Sequence, residues 1–448
     1  MNKMKKRLLL IVILFLCMTV GGCRRPSDGM PPVNDKSYRQ NLKTDIEEVI
    51  LEELELGCAF FWETANDNRS SAGYGLIPDR YNTHTDHPGS VASIASVGFG
   101  LSTIPISIEA GWIEREDGEI RAYYTLESLR KMQRINGFWY HFVDIDSGQR
   151  VWDCELSIID SAILINGVLT VGEFFGGRVK KLAQELYRDI KWNWYFDDAA
   201  NKFYMGYKPE TGFFGHWNGY AEHLMLFVLA AGSPQYAVDA SAYRLMKLTA
   251  ALMAPTPYYG PFYATYTGSL FTYQFSHAWL NFASYRDEDD WDWFQNSVNA
   301  VAAAISYAAG QSDYITLHED SWGLSACDGP DGYVGPYGSP PSAGNAHIVD
   351  GTVPAYGALG SVVFNPDKAI AAAVHYRTFP RFWSRYGFKD AYNLDCSDNG
   401  WFARDIIGID KGISVLMIEN YLSGMIWAIY HENEYIQTGL RNLGFTEV

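Results

Sequence analysis

The sequence predicts an all-α fold. Apolar residues recur at spacings of three and four from about residue 44 to about residue 430, and no run of alternating strands breaks the pattern. Long loops rich in Gly, Pro, Asp and aromatic residues separate the periodic stretches, so the loops are expected to carry function. About a dozen helices suit a single (α/α)6 toroid whose long aromatic loops gather at one end around a concave pocket.

The chain opens with Lys3, Lys5, Lys6 and Arg7, then the apolar run Leu8 to Val20, then Gly21-Gly22-Cys23. A basic head, a short apolar core and small residues before a cysteine predict a lipoprotein signal peptide over residues 1–22. The core is about 13 residues, short of the ~20 that span a bilayer. Cys23 is therefore the expected lipidation site, and the only attachment to a membrane. Arg24 and Arg25 follow it rather than an acidic cluster, and the expected location is periplasm-facing, on the outer membrane. Residues 23–38, with Pro26, Pro31 and Pro32, lack an apolar period and read as a flexible tether. Residues 39–448 read as one domain.

Its first helix is marked by Ile46, Val49, Ile50, Leu54, Cys58, Phe61 and Trp62. Further helical stretches are expected at 91–106, 121–134, 155–174, 178–191, 220–231, 235–250, 270–284, 290–309, 367–378 and 412–430. The loops between are 136–154, 201–219, 254–269, 311–365 and 384–411. The run 311–365 shows no helix, and a structureless loop of that length is expected only where it serves function.

A net charge of −17 repels phosphate backbones and argues against a nucleic-acid partner. Of six cysteines, Cys17 leaves with the signal and Cys23 takes lipid. Cys58, Cys154, Cys327 and Cys396 form no CxxC pair and read as small buried apolar residues rather than a disulfide framework. No HExxH spacing, nucleophile elbow or phosphate-binding glycine loop is present, and no metal site or cofactor is expected.

Carboxylates and rings share the loops. That combination suits glycoside hydrolysis, in which one protonated carboxyl donates to the leaving oxygen and a second, ionised one activates water or attacks the sugar. Glu222 follows Trp217-Asn218-Gly219-Tyr220-Ala221 and precedes the apolar Leu224-Met225-Leu226-Phe227. A carboxyl among rings loses hydration and rises in pKa, as a general acid requires. The alternative is a first-turn glutamate that stabilises a helix N-terminus. Asp410, in Gly408-Ile409-Asp410-Lys411-Gly412, is the second candidate, with an N-cap as its alternative. Asp144, Asp146, Asp153, Glu155 and Asp160 can line one wall of a cleft. Glu155 and Asp160, read on one helix, stand about 140° apart, so at most one of them faces the site. Asp328 and Asp331, in Cys327-Asp328-Gly329-Pro330-Asp331-Gly332, depart from a calcium loop and read as a turn that orients a loop over substrate. Asp390 follows Tyr386-Gly387-Phe388-Lys389. His277, in Tyr273-Gln274-Phe275-Ser276-His277, is either a core residue or a donor to sugar hydroxyls.

Together with Glu155-Leu156-Ser157-Ile158-Ile159-Asp160 and Trp322-Gly323-Leu324-Ser325-Ala326 these strings resemble, in order over about 130 to 430, the glycoamylase-like domain of the endo-β-1,2-glucanases of glycoside hydrolase family 144. The resemblance implies an (α/α)6 toroid, inverting hydrolysis of β-1,2-linked glucan or sophorooligosaccharides, and no cofactor. It implies Glu222 as general acid and Asp410 as general base, with Asp390 and Asp160 as rivals. Trp217, Phe275, His277 and Trp322, with Asp144, Glu155, Gln274 and Asp328, become the expected substrate-binding set. His223 and Ser414 depart from the family pattern and leave endo or exo cutting open. An oligo- or polysaccharide is the expected partner, and a monomer the expected state. A non-catalytic glycan-binding lipoprotein that feeds a transporter would need the rings but not a poised pair of acids. A polysaccharide lyase would need basic residues, in which these loops are poor.

Overall fold

The computed structural model describes residues 48–448. The expected signal peptide, Cys23 and the tether lie outside them. The described residues are mostly helical, and one continuous apolar core runs from Val49 to Phe445.

Two kinds of helix alternate along the chain. The first kind is buried nearly all round: α2 (Ile94–Glu109), α4 (Ile158–Phe175), α6 (Leu224–Ala231), α8 (Phe271–Gln274, continued by a 3₁₀ turn to Ala278), α10 (Ala355–Leu359) and α12 (Gly408–Leu422). The second kind buries one face: α3 (Arg115–Lys131), α5 (Gly177–Arg188), α7 (Ser241–Thr249), α9 (Trp293–Ala309), α11 (Pro366–Arg377) and, near the C-terminus, α13 (Met425–His431) and α14 (Glu434–Asn442). Helix α1 (Glu48–Thr64) packs on α2, α11 and α12. The division follows composition, because a helix apolar on every side needs neighbours on every side. Within the buried set α2 meets α4 and α12, α4 meets α6, and α12 meets α10 and the end of α8. Closeness decides one contact: a Cβ at Gly167 would stand 2.0 Å from the carbonyl oxygen of Gly98, so only glycine admits this crossing.

Four of the buried helices start from a short strand: Val91–Ser93 leads into α2, Leu156–Ser157 into α4, Val353–Pro354 into α10 and Asp405–Ile407 into α12. Ser93 and Ser157 cap α2 and α4 through their hydroxyls. The third residue of each helix is then Ser96, Asp160, Gly357 and Asp410. Two of these are acids and lie where unpaired N–H groups favour negative charge.

Several expectations need correction. The stretch expected as one helix over 412–430 is α12 and α13, bent by 93° where Gly424 adopts a φ of +67°. A final helix, α14, was not expected. The loop 201–219 contains the antiparallel hairpin Lys202–Lys208 with Gly212–His216. The loop 311–365 contains the hairpin Cys327–Gly329 with Gly332–Val334, a strand pairing Val353–Pro354 with Ala391–Asn393, and α10. The strands within 311–365 have two or three residues, too few positions for alternation to show. Cys58, Cys154 and Cys327 are buried as expected, whereas Cys396 is exposed; none of the four is bonded to another.

Candidate active site

The acids gather at the N-terminal ends of the buried helices. Glu222 precedes His223, the residue before α6, and so is not a first-turn glutamate. Its carbonyl accepts from the Ser276 hydroxyl at 2.5 Å, and that hydroxyl accepts from the Met225 N–H at 3.0 Å, which ties the start of α6 to the turn after α8. The Glu222 side chain stays partly exposed. Desolvation pushes its carboxyl up to about 7; its own backbone N–H opposes this, and the charge of Asp160 adds to it.

Asp160 is the third residue of α4, and its Oδ2 accepts from the Ser157 hydroxyl at 2.5 Å. Its Oδ1 lies 3.5 Å from His141 Nε2, while His141 Nδ1 lies 2.9 Å from Glu155 Oε1. Burial lowers the His141 pKa, but Asp160, Glu155 and Asp79 outweigh it and hold the imidazole above its ordinary value. The expectation that only one of Glu155 and Asp160 could face the site fails. Helix α4 begins at Ile158, so Glu155 precedes it and both acids meet the same ring.

Asp390 and Asp410 form a second pair. Asp390 Oδ2 accepts from the Asp328 N–H at 2.7 Å. Burial raises the Asp390 carboxyl to about 7, and burial together with Asp390 raises that of Asp410 well above the ordinary range. Asp410 stands inside the first turn of α12, whose cap position is Ile407, so it is no N-cap. Asp390 Oδ1 and Asp410 Oδ2 are buried with no donor from another residue, and the two side chains hydrogen-bond each other. A small cavity beside them is lined also by Glu53, Tyr356, Lys411 and Ser414. Lys411 makes a buried ion pair with Glu53 and donates to the Phe388 carbonyl at 2.9 Å, while the Phe388 N–H donates to Glu53 Oε2 at 2.8 Å. That bridge holds the hairpin of Trp383–Ser384 with Gly387–Phe388, two residues before Asp390, against α1 and α12.

Arg80 joins the two groups. Its Nη1 lies 3.3 Å from Asp328 Oδ2 and 3.1 Å from Asp405 Oδ2, and its Nε 3.3 Å from Asp79 Oδ2. Burial still leaves Asp79 with a raised pKa, and Asp79 feels the charges of both His141 and Asp160. Glu222, Asp160, Asp79, Asp328, Asp390 and Asp410 therefore form one electrostatic cluster. Tyr333 stands at its mouth. The residue is 50% exposed, while burial of the hydroxyl and the charges of Asp410 and Asp390 raise its pKa.

Four expected sugar contacts are core residues instead. His277 is wholly buried among Phe282, Phe294 and Phe364, with Nε2 3.0 Å from the Ser297 hydroxyl, and burial lowers its pKa to about 3. Phe275 packs on Phe99 and Phe271. Trp322 is fully buried. Gln274 is also buried and donates to the Gly357 carbonyl at 2.9 Å and the Ser361 hydroxyl at 2.8 Å, joining α8 to α10. An amphipathic pattern cannot say which side of an apolar wall a ring ends on, and here it is the inner side. Asp144 is a turn residue whose Oδ1 accepts from the Ser147 N–H and hydroxyl. Trp217 remains partly exposed, stacked on His223. Arg80, Asp79 and His141 were missed, and only their neighbours Tyr81 and Phe142 hinted at a loop worth reading.

The Glycoamylase family model, described as "Putative glucoamylase", matches residues 215–434. Just under half of the chain, residues 215–434, is thus similar to a glycoamylase-like domain. The chain is 25% identical to the endo-β-1,2-glucanase of Chitinophaga pinensis, with a TM-score of 0.79 over 90% of this chain and 98% of that one. A curated relative from Parabacteroides distasonis, an exo β-1,2-glucooligosaccharide sophorohydrolase acting at the non-reducing end, is 25% identical over 86% of this chain. The chain spans 56% of that relative's length. The endo-β-1,2-glucanase of the fungus Talaromyces funiculosus shares the fold, at 14% identity and a TM-score of 0.67.

Proposed function

We propose that this chain is a glycoside hydrolase that cleaves β-1,2-linked glucan or sophorooligosaccharides with inversion, Glu222 acting as general acid. The observation that carries the reading is Glu222: a partly exposed residue beside the acid cluster whose desolvated carboxyl, in contact with its own backbone N–H, is raised to about 7, so that near neutral pH it can hold a proton and release it. The names of the relatives supply the linkage.

The Asp390–Asp410 pair is the proposed base. Asp390 and Asp410 share a side-chain hydrogen bond, so a proton lies between them and the two act as one unit toward a water. Asp160, although nearer in charge to Glu222, has its two oxygens occupied by His141 and Ser157. An inverting pair stands about 6.5 to 9.5 Å apart with water between. The alternation of buried and half-buried helices supports an (α/α)6 toroid with this cluster at one end. Cys23 is the proposed lipid anchor, and the enzyme a periplasm-facing monomer on the outer membrane.

The test is a panel of linear glucans of differing linkage, with product size and anomer resolved. Cleavage of β-1,2-glucan with the α-anomer released first is expected, and an initial β-anomer would remove the inverting assignment. Glu222→Gln should lower turnover by about 10²- to 10⁴-fold while retaining binding. Undiminished activity would reject Glu222 as the acid.

A further inference from the structure

Trp152 is 69% exposed, yet the loop that carries it is tightly held. Arg150 reaches both carboxylate oxygens of Glu210, at 2.6 and 3.1 Å, and its Nε donates to the Cys154 carbonyl at 2.6 Å. The Val151 N–H and the Cys154 thiol both donate to the Phe142 carbonyl, each at 3.2 Å. Inside this bracket Trp152 and Asp153 take φ of +56° and +49°. Left-handed backbone at a bulky residue costs conformational energy and persists only where the surroundings impose it. The indole is turned outward all the same.

The ring also leads somewhere. Its centroid is 5.3 Å from that of Phe142, and Phe142 is stacked on His141 at 3.8 Å with 16° between planes. His141 in turn meets Glu155 and Asp160, and the charge of Asp160 acts on Glu222. Trp152 thus stands two ring contacts out from the acid cluster, on the same wall. A lone exposed apolar residue needs no explanation, but one on a fixed loop that continues a file of rings toward the acid cluster does.

We propose that Trp152 is a sugar-stacking platform, a distal subsite that takes a glucose unit of a β-linked glucan beyond those held at the acids. The C–H face of a pyranose lies flat against an indole, and an exposed ring held from behind offers that face without ordering cost. The proposal rests on the reading that the acids cut a glucan. It adds a dependence on chain length: long substrates reach Trp152 and the shortest do not.

The experiment compares Trp152→Ala and Trp152→Phe with the parent enzyme on sophorooligosaccharides of increasing length. Binding is measured separately by calorimetry in the Glu222→Gln background. For long chains KM should rise about tenfold in Trp152→Ala with kcat unchanged, and Trp152→Phe should restore most of it. The shortest cleaved substrate should show no change. Trp152→Gly, which adopts positive φ freely, should lose the same affinity without any fall in Tm, which separates binding from loop collapse. Equal effects at all lengths, or none, would overturn the platform. If Glu222→Gln binds β-1,2-glucan and Trp152→Ala binds it as tightly, Trp152 alone is wrong. If no glucan binds to either, the functional reading falls and the platform with it.

Discussion

Glu222 and His277 are both polar residues set among rings, and the fold gives them opposite fates. Glu222 sits just before a helix and stays partly exposed, whereas His277 sits in a turn packed on every side and stays neutral. Flanking rings made Glu222 legible, because they imply desolvation whatever the fold. The same cue misled at His277, Phe275 and Trp322, since rings flank core and cleft alike. Arg80 was not legible at all: its partners Asp328 and Asp405 are distant in sequence and meet it only through folding. The raised Glu222 pKa makes a prediction about rate. A general acid must carry its proton, so kcat should fall as pH rises through about 7. A profile that stays level to about pH 9 would contradict the role.

The strand-to-helix junctions place the chemistry. Asp160 and Asp410 occupy equivalent third positions of α4 and α12, so one local motif repeated along the chain delivers two acids to the same end. Asp390 arrives otherwise, two residues after the hairpin that Glu53 and Lys411 hold against α1 and α12. Removing one partner of such a buried pair leaves an uncompensated charge, and Lys411→Met should cost about 3–5 kcal/mol in urea unfolding. The double change Glu53→Gln with Lys411→Met keeps an acceptor for the Phe388 N–H and should recover most of that loss. If the double variant is no more stable than the single one, the pair is not the brace described here. Neither residue stood out in the sequence, because Glu53 reads as one of several glutamates on an ordinary amphipathic helix.

Collecting acids at the buried end of a helical core ties the stability of the whole protein to pH. Glu222 and Asp390 are raised to about 7, and Asp410 and Asp79 are also raised. A carboxyl whose folded pKa exceeds its unfolded value contributes stability that is complete below the unfolded value, near 4, and is lost as pH rises through the folded one. Tm should therefore fall between about pH 5 and 8, and Asp410→Asn should flatten that fall. A Tm that climbs over this range would refute the linkage. Helix content, the order of most elements, the loops rich in acids and rings, and the resemblance to the glycoamylase-like domain were all present in the linear chain, because periodicity and local strings survive without contacts. Short strands, the bend at Gly424, the Arg80 junction and the inward or outward sense of each ring were not. Each of those depends on residues far apart in sequence excluding water from one another, and only the packed molecule decides which groups do so.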